Sequence, residues 1–413
     1  SCSGKCSFMR FSRYLLAAFL LFTYSLSGTA KAQDSAETTL QASWQPGLTL
    51  TSPEKDLVFT IGGRVHADFA FTQKSGTLQR AVGSQGQYAT RFTRIRVYQK
   101  GQIGPNFSYS LDLDMDQGEP ALRDVYLSFR KLPFIGNVRI GHQKELFTTE
   151  SITSSNHIVF MGRSLGDGFV PRRNPGVTVF NSYMNGRLTS GGGIYLEANE
   201  LGRPRDPDAD AYNLTGRLNA VPWHQDEAHQ LIISGGISRR SRDSVTLEGA
   251  PEASITLDYL NPPDIGNTRY NLVTNYMIGA LYGPLSIQAA YRKARPFSSG
   301  ATVNLDAAYG QISYFLTGEH RNYQPATGNF GAVQPKKDFN LQQNGAGAFA
   351  LAFRYSHLNL DDEAYQGGQL TDYTAGLNWY LNSNARIMIN YVFVDVVSDG
   401  QGQILQSRFQ VAF

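Results

Sequence analysis

The sequence predicts an all-β chain, a transmembrane antiparallel β-barrel of about sixteen strands with long external loops. Three observations predict it. Apolar and polar residues alternate with a period of two through most of the chain. The alternating segments are mostly near the ~10-residue length of a tilted membrane-crossing strand. The connections between them alternate between short and long. No segment beyond the amino end is an apolar run of helical length, and mean hydropathy is −0.30, which excludes a bundle of membrane helices.

The amino end reads as a leader. Met9-Arg10-Phe11-Ser12-Arg13 is basic, Tyr14 to Leu26 is apolar, and Ala30-Lys31-Ala32 supplies the small residues of a cleavage site. The apolar run is shorter than the ~20 residues a spanning helix requires. Residues 1–32 are therefore expected to be signal peptide and upstream extension, Gln33 the first mature residue, and 33–56 a periplasmic segment ahead of a barrel over 57–413. Both cysteines, Cys2 and Cys6, fall in the leader, so no disulfide or thiolate metal site is expected. The leader also holds four of the 37 basic residues and none of the 34 acidic ones. The remaining charge is nearly balanced, and no basic stripe points to nucleic acid.

Phe59, Ile61, Val65, Ala67, Phe69 and Phe71 alternate with Thr60, Arg64, His66 and Asp68. Phe107, Tyr109, Leu111, Leu113 and Met115 alternate with Ser108, Ser110, Asp112, Asp114 and Asp116. Such alternation places the apolar side chains on one face of a strand. The same pattern assigns strands to 57–71, 91–103, 107–116, 122–130, 137–144, 175–182, 189–198 and 211–221. It continues through 229–240, 269–280, 284–293, 304–317, 346–357, 371–381, 385–395 and 404–413.

Connections at 104–106, 185–188, 282–283 and 382–384 are short; those at 72–90, 145–174, 199–210, 241–268, 358–370 and 396–403 are longer. The segment 318–345 breaks this rhythm, being long where a short periplasmic turn is due. The last strand ends Phe409, Val411, Phe413, resembling the aromatic terminus that barrel-assembly machinery reads. The first and last strands must pair, because lipid offers an open edge no partner.

With apolar positions facing lipid, the others face a lumen: Arg64, Arg94, Arg96, Arg139, Arg217 and Arg354, with His66, Asp68, Asp112, Asp114, Asp116 and Asp124. The 104–106 turn sets Arg96 opposite Asp114 and Arg94 near Asp116. Two readings stand side by side: cross-strand pairs bracing a polar wall, and a basic track that draws anions through. The 145–174 loop brings Arg163, Arg172 and Arg173, and the anomalous turn brings Arg321, Lys336 and Lys337. Irregular backbone at membrane depth is tolerated where it lines protein or water, so both segments are expected to narrow the lumen.

At Phe59-Thr60-Ile61-Gly62-Gly63-Arg64, Leu122-Arg123-Asp124-Val125-Tyr126 and Ile140-Gly141-His142-Gln143-Lys144-Glu145 the chain resembles the phosphate-selective porin O and P family. The resemblance continues at Phe160-Met161-Gly162-Arg163-Ser164-Leu165, Thr317-Gly318-Glu319-His320-Arg321 and Gly376-Leu377-Asn378-Trp379-Tyr380-Leu381. It implies a sixteen-stranded homotrimeric porin of a Gram-negative outer membrane, constricted by its third loop and seventh turn. Arg64 and Arg94 match family constriction arginines. Ser151, Gln324 and Gln334 stand where phosphate channels carry lysines, and a neutral side chain brings no charge. The resemblance thus implies a diffusion channel for small anionic or polar solutes with mild anion preference, a weak or absent central phosphate site, and no cofactor.

A closed barrel serving as adhesin or structural anchor is a rival reading, and bilayer recording separates it from a channel. An outer-membrane hydrolase is another. H-E-x-x-H does not occur, and His224, Asp226, Glu227 and His229 fall in an expected turn.

Overall fold

In a computed structural model of the chain, the described residues are 40–44, 47–83, 86–116, 120–199, 201–203, 212–298, 300, 302–363 and 365–413. The expected leader and the cut before Gln33 lie outside them. Sixteen strands build the wall. They are β1 Leu57–Lys74, β2 Tyr88–Ile103, β3 Phe107–Asp114, β4 Val125–Leu132, β5 Gly136–Lys144, β6 Arg173–Tyr183, β7 Leu188–Leu196 and β8 Tyr212–Asp226. Then come β9 His229–Arg240, β10 Thr268–Tyr282, β11 Leu285–Ser298, β12 Leu305–Phe315, β13 Ala348–Asp362, β14 Tyr365–Tyr380, β15 Ala385–Val396 and β16 Gly400–Ala412.

Each strand pairs antiparallel with the next, and β16 returns to β1 in a register running from Gly402↔Lys74 to Ala412↔Arg64. The barrel is closed. All sixteen expected segments are strands. At the carboxy end, Phe413 exchanges backbone hydrogen bonds with Gly63 in both directions. A Cβ on Gly63 would sit 2.7 Å from both the Phe413 ring and the Arg96 carbonyl oxygen, so glycine is what lets the terminus close. Below that point a short hairpin takes over the exposed edge of β1. Gln41–Trp44 pairs with Leu48–Thr51, which pairs with β1 from Val58 to Ile61.

Parity holds through the membrane band. Phe69, Ile140, Tyr276, Ile278 and Phe409 are exposed on the outside, while His66, Asp68 and Asp114 are fully buried inside. A bulge refines it in β2. The register skips Thr93 between the His66↔Arg94 and Ala67↔Phe92 pairs. Such a bulge bends its strand and re-aims side chains, and Thr93 here turns its hydroxyl to Asp68 while Arg94 still reaches Asp116.

Two expectations need correction. The segments 358–370 and 396–403 are not long loops; β13 and β14 run on to Asp362 and from Tyr365, and β16 begins at Gly400. Nor do apolar side chains always face lipid. Leu358, Leu360, Leu370, Val394, Val396 and Ile404 are buried inward. The reason is the contents of the barrel. Leu165, Phe169 and Val170 from the connection after β5 (145–172, here L3) pack with Val245, Leu247, Tyr259 and Leu260 from the connection after β9 (241–267, here L5) against that inner wall. At an order of 1.5–3 kcal/mol for each large buried aliphatic or aromatic side chain, this cluster seats both loops inside.

The anomalous connection after β12 (316–347, here T6) also enters the barrel. Counted between barrel strands it is the sixth turn, not the seventh. Its small hairpin, Tyr323–Gln324 with Asn329–Phe330, buries Tyr323 and Phe330 against inward-facing Val221, Ile232, Met277 and Leu281.

Candidate functional site: the lumen

L3 starts where β5 ends and crosses to the far wall. A one-turn helix, Thr149–Ile152, follows Thr148, whose hydroxyl accepts from Ser151 N while the Ser151 hydroxyl accepts in return from Thr148 N. Beyond it the backbone is held by wall side chains: Arg386 donates to the Ile158 carbonyl at 2.8 Å, Asn378 to that of Val159 at 3.1 Å, and Met161 N donates to Asn390 at 2.7 Å. The Glu150 carboxylate is the anchor. It accepts from Arg292 at 2.6 Å and from Ser164 N at 2.9 Å, and Arg354 lies 3.6 Å away. Burial alone would raise the Glu150 pKa, but Arg292, Arg354 and Arg163 outweigh it and hold the carboxyl down to about 2.

L5 is fixed in the same way. Glu252, fully buried, accepts from Arg354 at 2.6 Å and from Thr374 at 2.8 Å. Its backbone N–H donates to Asp372 at 2.6 Å and its carbonyl accepts from Gln406 at 3.0 Å. Arg354 therefore braces two loops and does not line open space.

Among the described residues a cavity of about 1,390 Å³ stays open along the inner wall from β1 to β9. Thirteen arginines and lysines line it against five aspartates and glutamates. Arg64, Arg94, Arg96, Arg172, Arg173 and Arg217 are among the thirteen. Most are braced. Arg96 pairs with Asp114 at 2.6 Å and Arg94 with Asp116 at 3.3 Å, as the 104–106 turn predicts. Arg173 holds Asp124 with two hydrogen bonds, and Arg172, largely exposed, pairs with Asp167 at 2.8 Å. Arg64 is looser: it donates to Ser154 at 2.9 Å and stands 3.9 Å from Asp112. Arg217 has no carboxylate partner among the described residues. It clamps L3 to T6, donating to Thr149 and to the Gly328 carbonyl, each at 2.7 Å.

Arg321, Lys336 and Lys337 lie outside this cavity, whereas Arg139 and Arg163 also line it. Arg321 sits over the Phe330 ring at 3.6 Å and donates to the His157 carbonyl at 3.0 Å. Lys336 reaches the Thr317 carbonyl at the base of T6, and Lys337 is exposed. Ser151 lines the cavity, whereas Gln324 and Gln334 do not.

Sequence reasoning missed Arg240, Arg292, Arg386 and Arg408, all buried on the inner side. Strand parity marks each of them; the expected strand 284–293 ended just past Arg292, which hid its place in the alternation. Arg408 matters most for closure, gripping Asp68 across the β16–β1 seam with two 2.7 Å hydrogen bonds. At the turn between β8 and β9, His229 bonds Asp226 at 2.8 Å outside the lumen.

A closed sixteen-stranded wall, narrowed from within by L3 and T6, is the architecture of a pore. The profile of the phosphate-selective porin O and P family matches residues 59–413. The chain belongs to that family. As a member of the porin O and P family it is an outer-membrane channel protein of Gram-negative type. Over 374 residues it is 24% identical to an uncharacterized protein of Caulobacter vibrioides, covering 86% of this chain and 72% of that one. It is 21% identical to Porin O of Pseudomonas aeruginosa, covering 84% and 85%. Among solved structures it is similar in fold to the anion-selective porin of Comamonas acidovorans, with a TM-score of 0.53 at 13% identity, over 86% of this chain and all of that one. The trimer form of OmpT of Vibrio cholerae is comparable, with a TM-score of 0.55 at 11% identity, over 86% and 99%.

Proposed function

We propose that this porin passes small anions in preference to cations, without tight phosphate selectivity, and works as a homotrimer. The lining of the open cavity carries the first part: thirteen cationic against five anionic side chains along walls of low dielectric, a field that draws in anions and repels cations. Against a dedicated phosphate site stands Ser151, which brings a hydroxyl and no charge to the cavity. The remaining arginines mostly share their charge with aspartates, which moderates the preference. Zero-current potentials across a bilayer with a KCl gradient test this. A sign reporting chloride permeation in excess of potassium is expected, and the opposite sign overturns it.

The trimer rests on wall height. Strands β3 and β4 have eight residues each and β5 nine. At about 3.3 Å per residue and a tilt of about 40° they rise roughly 20 Å, short of the ~25 Å apolar band. A neighbouring copy covering this low wall would resolve the mismatch. The OmpT structure named above is itself described as a trimer form. Detergent-resistant oligomers that dissociate when Leu127 and Phe129 of β4 are made charged are the expected result; a monomer in mild detergent overturns it.

A further inference from the structure

The arginines of the constriction are mostly neutralised, but two cations nearer the short-turn rim are not. Arg139 lies near the start of β5 and Lys100 near the end of β2, on one continuous wall. The register sets Lys100 beside Ser110 and Ser110 beside Tyr126, while Arg139 stands beside Ser128. Both cations line the open cavity. Neither has a carboxylate within ion-pair distance among the described residues. Their company is aromatic instead. The Arg139 guanidinium lies over the Tyr126 ring at 4.3 Å and the Phe180 ring at 5.0 Å, and the Lys100 ammonium lies over Tyr98 at 4.8 Å.

This arrangement has a chemical preference. A guanidinium whose faces rest on rings keeps its edge for a partner, and that edge matches a carboxylate in a bidentate fork. The buried Nε of Arg139 has no partner, and no hydrogen bond engages its Nη atoms among the described residues. Tyr126, Phe180 and the nearby Leu146 offer apolar surface to the rest of the ligand. A tetrahedral inorganic anion uses none of that surface. A flat organic anion uses all of it.

We propose that Arg139, Lys100, Tyr126 and Phe180 form a binding site for aromatic carboxylates on the periplasmic side of the constriction. The site rests on the channel reading above and names the solute class that the channel favours. A carboxylate docks on the Arg139 edge, its ring stacks along Phe180 and Tyr126, and Lys100 adds long-range attraction.

The test is block of KCl current through the purified protein in planar bilayers, with benzoate, acetate or phosphate added to the periplasmic side. Benzoate is expected to halve the current at a concentration about tenfold below acetate and phosphate, the gain that ring stacking provides. Arg139→Gln is expected to raise the half-blocking benzoate concentration by about tenfold, the worth of one charge-assisted fork. Tyr126→Leu is expected to narrow the gap between benzoate and acetate. Heat-modifiable mobility on gels reports that each variant has folded. Equal block by all three anions in the natural protein, or unchanged benzoate block in folded Arg139→Gln, overturns the site. A bilayer that stays silent in KCl alone overturns the channel reading itself.

Discussion

Arg292 on β11 and Glu150 on L3 meet at 2.6 Å inside the barrel, 142 residues apart in sequence. Glu150 also engages Ser164 and lies beside Arg354, which in turn holds Glu252 of L5. One carboxylate thus ties the third loop to the wall and, through a shared arginine, to the fifth. Replacing Glu150 by Gln leaves the buried Arg292 guanidinium without its ion pair, while Arg354 keeps Glu252. Removing one member of a buried pair costs on the order of 3–5 kcal/mol. The variant is expected to show larger and noisier single-channel currents as L3 loses its seat, with earlier loss of heat-resistant mobility on gels.

The same anchor sets a pH response. The Glu150 carboxyl is depressed to about 2, so its stabilisation is fully present above the ordinary carboxyl pKa and is lost as pH falls through about 2. His157, also on L3, is pushed down to about 4, first by burial and then by Arg386 and Arg64. Its neutral form is the one the fold accommodates, so that contribution is complete above the ordinary imidazole pKa and declines as pH falls towards about 4. Acidification is therefore expected to loosen L3 in two stages. In His157→Asn the upper stage, between about pH 6.5 and 4, is expected to vanish from the conductance profile while the lower one persists.

At the seam, Asp68 accepts twice from Arg408 and once from Thr93, with all three buried. Asp68→Ala leaves the Arg408 charge buried and unpaired where the first and last strands close. A loss of about 3 kcal/mol or more follows from the desolvated charge. The expected result is slower refolding into detergent micelles and a lower melting temperature by circular dichroism, with the same strand content in the molecules that do fold.

These devices differ in how far the amino-acid pattern reveals them. Strand alternation locates the sixteen strands, and a three-residue turn suffices to foresee the Arg96–Asp114 pair, because both are local in register. T6 is long where a barrel turn should be short, and L3 is the longest of the expected loops, which points both inward. L5 gave no such warning from its length. The clue was chemical: Val245, Leu247, Tyr259, Leu260 and Ile265 are too apolar for a solvated loop. The same oversight turned Val394 to lipid, since an alternating strand does not say which face meets oil once apolar loops fill the interior. Arg217 and Arg354 illustrate the remaining gap. Their inward orientation follows from parity, yet the loops that engage them lie 68 and 102 residues away, beyond the reach of any local pattern.

Arg64 and Arg96 are neighbours in register, Arg64 beside Arg96 across β1 and β2, but they stand in different electrostatic company. Arg96 is held by Asp114, which also accepts from Arg123 at 3.0 Å. Arg64 is bound mainly by a serine, with its carboxylate at the outer limit of contact. A charge already matched by a close counter-ion contributes little field at a distance, whereas a loosely matched one contributes most of its own. Arg64→Gln is accordingly expected to lower the chloride-to-potassium permeability ratio by more than Arg96→Gln does. Asp114→Asn, which unmasks Arg96 and Arg123 together, is expected to raise it. Zero-current potentials of the three variants in one KCl gradient check the order; if Arg96→Gln and Arg64→Gln shift the potential equally, the lumen field is set by total charge and not by how each arginine is paired.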